Sequence, residues 1–161
     1  MPDDMNSAAT NGTQFEAPNP DFAARVQTSF SRQRIMALLG AELAAVEPGF
    51  CEITLPFKDA LCQQHGFFHG GVIGTIADSA GGYAGFSLMP EDASVLTVEY
   101  KLNLLAPADG DRLTARGRVV KPGRTLVVAR ADVTVRKNNQ ETLCATLLQT
   151  LMTMHGRKDE A

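Results

Sequence analysis

A carboxylate set among side chains too small to cover it is the first feature of this sequence with chemical potential. Asp78 has Gly74 and Thr75 four and three positions before it, and Gly81 and Gly82 three and four positions after it. On a helix these are its surface neighbours, so nothing local fills the space over the carboxylate. Two readings follow: an acid hydrogen-bonded within a tight subunit contact, because a buried charge needs a partner, or an acid left accessible to a substrate. Nine positions upstream of Asp78, His69-Gly70-Gly71 stands where the same helix would begin. The first backbone N–H groups of a helix lack intrahelical acceptors, and the helix dipole favours negative charge there. A glycine lets a carbonyl oxygen come close, which makes the Gly70 N–H a candidate oxyanion donor. Such a start could also cradle a phosphate, but neither G-x-x-x-x-G-K-[ST] nor G-x-G-x-x-G is present.

These groups need a helix to carry them. Val72, Ile76 and Tyr83, with Ile73 and Ala80 beside them, form an apolar helical stripe. Intrinsic propensity is poor, since His69 to Ser87 contains six glycines, each costing about 1 kcal/mol relative to alanine in a helix interior. Tertiary packing must therefore hold this helix, and the small residues let a curved sheet approach it closely. Phe67 to Leu88 is also long and bland enough to resemble a membrane span. However, Asp78 near its centre would cost roughly 2.5–3.5 kcal/mol on insertion scales, and His69 adds a second polar group.

Around this segment the chain reads as one domain over residues 19–155, with a disordered leader at 1–18 and a frayed polar tail at 156–161. Asn19-Pro20 suits a helix start, and Phe22, Val26 and Phe30 give one stripe of a helix that should end before Gly40. Two short apolar runs meeting at Pro48-Gly49 suggest a hairpin. Period-two alternation then places Leu96, Val98, Tyr100, Leu102 and Leu104 on one face of a strand. Leu113 to Val119 follows, then Thr125 to Val135 up to Asn138-Asn139, and a last strand from about Thr142 to Met154 with apolar residues on both faces. A helix, two strands, a central helical segment and four strands point to an antiparallel sheet packed on a helix.

Composition excludes several functions. A net charge of -3 gives no basic excess that would draw the whole protein to nucleic acid or anionic membrane, so any phosphate contact must be local. Three scattered cysteines make neither a disulfide framework nor a zinc site, so a reduced, metal-free cytoplasmic protein is expected. The leader lacks the positive charge and apolar core of a secretory signal.

Gln63, then Gly66-Phe67-Phe68-His69-Gly70-Gly71, then Asp78 resembles the signature of the phenylacetate-degradation (PaaI-like) acyl-CoA thioesterases of the hotdog superfamily. In that family H-G-G opens the central helix and an Asp or Glu follows nine positions after the His. The resemblance runs from about Leu39 to Met154. It implies an α+β hotdog fold, an antiparallel β-sheet wrapped around a long central helix, here with an additional N-terminal helix. It implies hydrolysis of an acyl-CoA thioester by a homodimer or a dimer of dimers (homotetramer), with no nucleic-acid or membrane partner. No cofactor is implied beyond the coenzyme A of the substrate. Asp78 would act as general base on water or as nucleophile. The Gly70 N–H and the Gln63 amide would polarise the carbonyl, and His69 would orient the site or face the sulfur. Many members have Asn where this chain has Gln63. Thr97 matches a position where relatives place a hydroxyl that helps hold the water, and Asn103 is a weaker candidate.

Lys121 and Arg124, flanking Pro122-Gly123, are candidates for the coenzyme A phosphates. Each assignment has a plainer counterpart: a helix-capping His69, a loop-stabilising Gln63 amide, a solvated turn at Lys121 to Arg124. Phe67, Phe68, Tyr83 and Phe86 could line an aryl or fatty-acyl pocket or simply fill the core. At 1.5 Å per residue, His69 and Asp78 lie about 13 Å apart along one helix, too far to flank one carbonyl. If both serve one reaction, the acid must come from a second subunit. A hotdog dehydratase or hydratase would need a histidine paired with the acid, and none stands near Asp78. A non-catalytic acyl-CoA binding module usually adds a DNA-binding helix pair, and residues 1–40 show no basic recognition helix.

Overall fold

In the computed structural model, which describes residues 15–159, the stripe of Phe22, Val26 and Phe30 becomes helix α1 (Phe22–Arg32), with Val26 and Phe30 buried. Residues 1–14 of the expected leader, and residues 160 and 161 of the expected tail, lie outside the described residues. Helix α1 begins later than Asn19-Pro20. The buried Asn19 side chain accepts a hydrogen bond from the Asp21 N–H at 2.9 Å, a local turn that competes with the helix. The expected single helix is also interrupted, because Gln33 is extended (φ -71°, ψ 98°) and starts a short second helix, α2 (Arg34–Leu39). Gly40, left-handed at φ 79°, ends α2 by capping its carbonyls.

Strands β1 (Glu42–Glu47) and β2 (Phe50–Pro56) form the hairpin expected at Pro48-Gly49. After helix α3 (Gly70–Phe86) come β3 (Ser94–Leu104), β4 (Arg112–Lys121), β5 (Leu126–Lys137) and β6 (Gln140–Met154). The six strands make one antiparallel sheet in the order β1-β2-β4-β5-β6-β3. Asn138 and Asn139, both at positive φ, supply the two-residue turn between β5 and β6.

The sheet curls around α3, which touches β2 through β6 and is buried along most of its length. Burial of Ile73, Ile76, Tyr83 and Phe86 stabilises by about 1.5–3 kcal/mol each, more than offsetting the helix's glycines. The contact is close enough to be backbone on backbone: a Cβ placed on Gly117 of β4 would lie 2.2 Å from the Ala80 carbonyl oxygen of α3. Near the limits of the described residues, Phe15 packs against the core beside Gly49, and Asp159 pairs with Arg32 at 2.7 Å.

Strand β3 departs from the simplest reading of its alternation. Leu96, Val98, Tyr100 and Leu104 are exposed, Leu102 is partly buried, and the register with β6 shifts between Thr97 and Glu99. It is an edge strand paired only with β6, so its apolar side chains lie at the rim of the core. In β6 the two apolar faces separate: Leu147 and Leu151 are buried while Leu148 is exposed. Gly117→Ala should lower stability by about 1–3 kcal/mol through overpacking against α3, measured as the shift in urea unfolding of the variant against the native chain.

Candidate active site

Asp78 lies where α3 faces β3 and β6, and its two carboxylate oxygens have unequal surroundings. The Thr97 hydroxyl donates to Oδ1 at 2.7 Å. Gln149 Nε2, from β6, donates to the same Oδ1 at 3.2 Å and to the Asp78 backbone carbonyl at 3.3 Å. Among the described residues nothing donates to Oδ2. A hollow of about 230 Å³ adjoins the carboxylate, lined by Gln33, Ser79, Gly82, Tyr83, Leu96 and Thr97 among others. Burial raises the Asp78 pKa above the ordinary carboxylate range, and the hydrogen bonds from Thr97 and Gln149 oppose that rise in part. An ionised oxygen with spare lone pairs, made more basic by desolvation, can take a proton from water or attack a carbonyl directly.

At the start of α3, His69 is the N-cap and its Nδ1 accepts from the Gly71 N–H at 2.9 Å. The helix-capping role is thus real, and it has a chemical consequence. With Nδ1 accepting, a neutral imidazole carries its proton on Nε2, which the exposed ring presents as a donor. Gln63 likewise stabilises its loop: Oε1 accepts from the His65 N–H, and the Gln63 N–H donates to the Phe67 carbonyl at 2.9 Å. Because Oε1 is held, the free end of that amide is the Nε2 donor. No described residue accepts from the Gly70 N–H. Gln63, His69 and Gly70 line one open hollow of about 550 Å³ with Phe67, Leu104 and Leu105.

Within one copy, then, Gln63, His69 and Gly70 on one side and Asp78 on the other line separate hollows with no lining residue in common. Thr97 joins Asp78, and Gln63 and His69 join Gly70. Asn103 is exposed on β3 and Lys121 is exposed at the end of β4. Arg124 lines a third hollow, of about 190 Å³, with Leu88, Val127 and His155 among others. Phe68, Tyr83 and Phe86 belong to the core, although Tyr83 also borders the Asp78 hollow and Phe67 borders that of Gly70. Gln149, Gln33 and Ser79 were not anticipated. For Gln149 a signal existed, since a polar residue interrupts the buried face of β6 between Leu147 and Leu151. Gln33 and Ser79 carry no comparable mark.

With this geometry in hand, comparison with known proteins is decisive. A crystal structure of a thioesterase family protein from Silicibacter pomeroyi is 50% identical, with a TM-score of 0.83 over 84% of this chain and 99% of that one. The chain belongs to the thioesterase superfamily. The sequence profile described as Thioesterase superfamily matches residues 65–142. A relative from Halobacterium salinarum, which carries a provisional esterase name, is 32% identical over 126 residues, 75% of this chain and 82% of its own. The PaaI protein of the E. coli phenylacetic acid degradation operon shares the fold at 21% identity, with a TM-score of 0.76 over 86% of this chain and 96% of that one. The protein is a hotdog thioester hydrolase, as the H-G-G and Asp78 spacing led one to expect. No helix among the described residues is long and apolar enough to cross a membrane.

Asp78→Asn should cut kcat on the order of 10²- to 10⁴-fold while raising the melting temperature at neutral pH. A carboxyl whose folded pKa is raised binds more protons in the native state than in the unfolded one. The fold therefore loses stability as pH rises through that window, and the neutral amide escapes the loss. Free-thiol release and thermal melts of the same preparations check both halves.

Proposed function

We propose that this protein hydrolyses aryl- or fatty-acyl-CoA to the free acid and coenzyme A in the cytoplasm, at a site that two copies build together. The observation carrying this reading is that a single strand borders both hollows. Leu96 and Thr97, near the start of β3, line the hollow of Asp78, and Leu104, at its end, lines that of Gly70. The two ends are about 23 Å apart at 3.3 Å per residue. β3 is also an edge with exposed Leu96, Val98, Tyr100 and Leu104, the kind of strand that invites another chain to pair. Antiparallel pairing of two such edges about a twofold axis sets the start of one against the end of the other. Asp78 of one subunit then faces the amide-rich start of α3 in its neighbour.

In that arrangement the thioester oxygen accepts hydrogen bonds from the Gly70 N–H and Gln63 Nε2, which stabilise the negative charge that develops on attack. The attacking oxygen is either a water that loses its proton to Asp78 Oδ2 or that carboxylate oxygen itself, followed by hydrolysis of the resulting anhydride. Both routes break the carbon–sulfur bond and release the coenzyme A thiol, with His69 Nε2–H placed on the sulfur side. Thr97 keeps Oδ1 occupied so that Oδ2 does the chemistry. Lys121 and Arg124 meet the phosphates at the mouth, Asn103 lies alongside on β3, and a dimer of dimers is the larger assembly. Within one copy no histidine borders the hollow of Asp78, so a hydratase reading would depend on the same shared site, with His69 of the neighbouring copy as the acid's partner.

The test separates a shared site from two independent ones. Gly70→Pro removes the N–H while suiting a first helical position preceded by the extended His69. Homodimers of Gly70→Pro and of Asp78→Asn should each be inactive against a panel of aryl-, short- and long-chain acyl-CoA esters. Purified mixed dimers should recover about half the native activity, because one of two sites is then intact. Mixed dimers as inactive as their parents would rule out sharing. Separately, replacing both Lys121 and Arg124 with Ala should raise KM with little change in kcat.

A further inference from the structure

Strand β6 carries a glutamine where its pattern calls for an apolar residue. Gln149 is fully buried, at 0% exposure, between Leu147 and Leu151 on the face that packs against α3. Its Oε1 has no hydrogen-bond partner among the described residues, and a buried acceptor left unpaired weakens the fold. Room for it exists only because position 81 is a glycine: a Cβ there would lie 2.3 Å from that oxygen. The chain thus tolerates two unfavourable features at one place, a glycine inside a helix and an unsatisfied amide oxygen. A methionine would fill similar space without the unpaired oxygen.

What the glutamine supplies in return is its other terminal atom. Nε2 donates to Oδ1 of Asp78 at 3.2 Å and to the Asp78 carbonyl oxygen at 3.3 Å. Both neighbours are acceptors, so the amide must present nitrogen to them. Thr97 approaches the same Oδ1 from the exposed side of β3, where water competes with it, whereas Gln149 approaches from the dry side of the sheet. With two donors on Oδ1, the carboxylate plane is set and Oδ2 is the oxygen left without a donor among the described residues.

We propose that Gln149 is a positioning residue for the hydrolysis, a buried amide that clamps Oδ1 of Asp78 and thereby aims Oδ2 at the thioester. This rests on Asp78 being the group that reacts. Among the described residues of one copy nothing else charged lines the hollow: Gln33, Ser79, Gly82, Val95, Leu96 and Thr97 are neutral, and burial holds the Tyr83 phenol above its ordinary range. In the proposed shared site His69 of the neighbouring copy is the other ionisable group, so the acidic limb is assigned to Asp78 by repeating the comparison in a His69→Asn background.

The experiment compares Gln149→Met with the native chain and with Asp78→Asn, in the full-length protein, by thermal melting and by kcat/KM against pH. Loss of a donor to the carboxylate disfavours its ionised form. Gln149→Met should melt at or above the native temperature and keep KM within about twofold, with kcat reduced on the order of tenfold, the worth of one charge-assisted hydrogen bond. Its ascending limb should move to higher pH. A loss of kcat with the limb unmoved would reduce Gln149 to a packing role, and unchanged kcat and limb would overturn the proposal outright. Gln149→Glu, equal in length, serves if the methionine variant does not fold. A second carboxyl beside Asp78 should move the limb upward, and an unmoved limb counts against the clamp. Full activity in Asp78→Asn would instead sink the reading of Asp78 itself, whatever Gln149 does.

Discussion

Backbone contact between α3 and β4, where Gly117 meets the Ala80 carbonyl, is the constraint from which the rest of this structure follows. A helix with so many glycines has little reason to form alone. It persists because small residues on both partners let the helix sink into the curl of the sheet, burying Ile73, Ile76, Tyr83 and Phe86 around it. The same closeness gives the helix its chemistry. Asp78 stands two positions before Ala80 and is brought within hydrogen-bonding distance of Thr97 and Gln149, on two strands that share no local sequence with it.

The balance at Asp78 is electrostatic. Burial makes its ionised form less favourable, two neutral donors give part of that back, and among the described residues no cation lines its hollow to cancel it. A salt bridge would have stabilised the carboxylate further and left it a poorer base. Uncharged donors on one oxygen keep the group ionisable while the other oxygen stays available. A carboxylate desolvated in this way costs the fold some stability at neutral pH.

Strand β3 links this chemistry to the quaternary level. It closes the sheet on one side yet leaves Leu96, Val98, Tyr100 and Leu104 in solvent, and its two ends border the two hollows. In the proposed dimer the same strand would remove those side chains from water and bring donor and acid together. Edge protection and assembly of the site would then be one event. Under that proposal, groups held half a helix apart in one copy, Gly70 at the start of α3 and Asp78 at its middle, would meet across a twofold axis.

Much of this was legible in the linear order of residues. The H-G-G start, Asp78 nine positions on, the Pro48-Gly49 hairpin and the alternation of the later strands are local patterns, and local patterns are written by near neighbours. The break at Gln33 and the delayed start of α1 were not, because each depends on whether a polar side chain turns to its own backbone or joins a helix. Nor could the solvent exposure of β3 be read from its alternation, which marks an apolar face without saying what covers it. The clamp on Asp78 lay further out of reach. Gln149 is 71 residues away, and only strand pairing and the depth to which α3 settles bring its amide to the carboxylate. Residue types and periodicity therefore determined the elements and the chemical groups available, whereas long-range packing decided which oxygen of Asp78 is held and which is free.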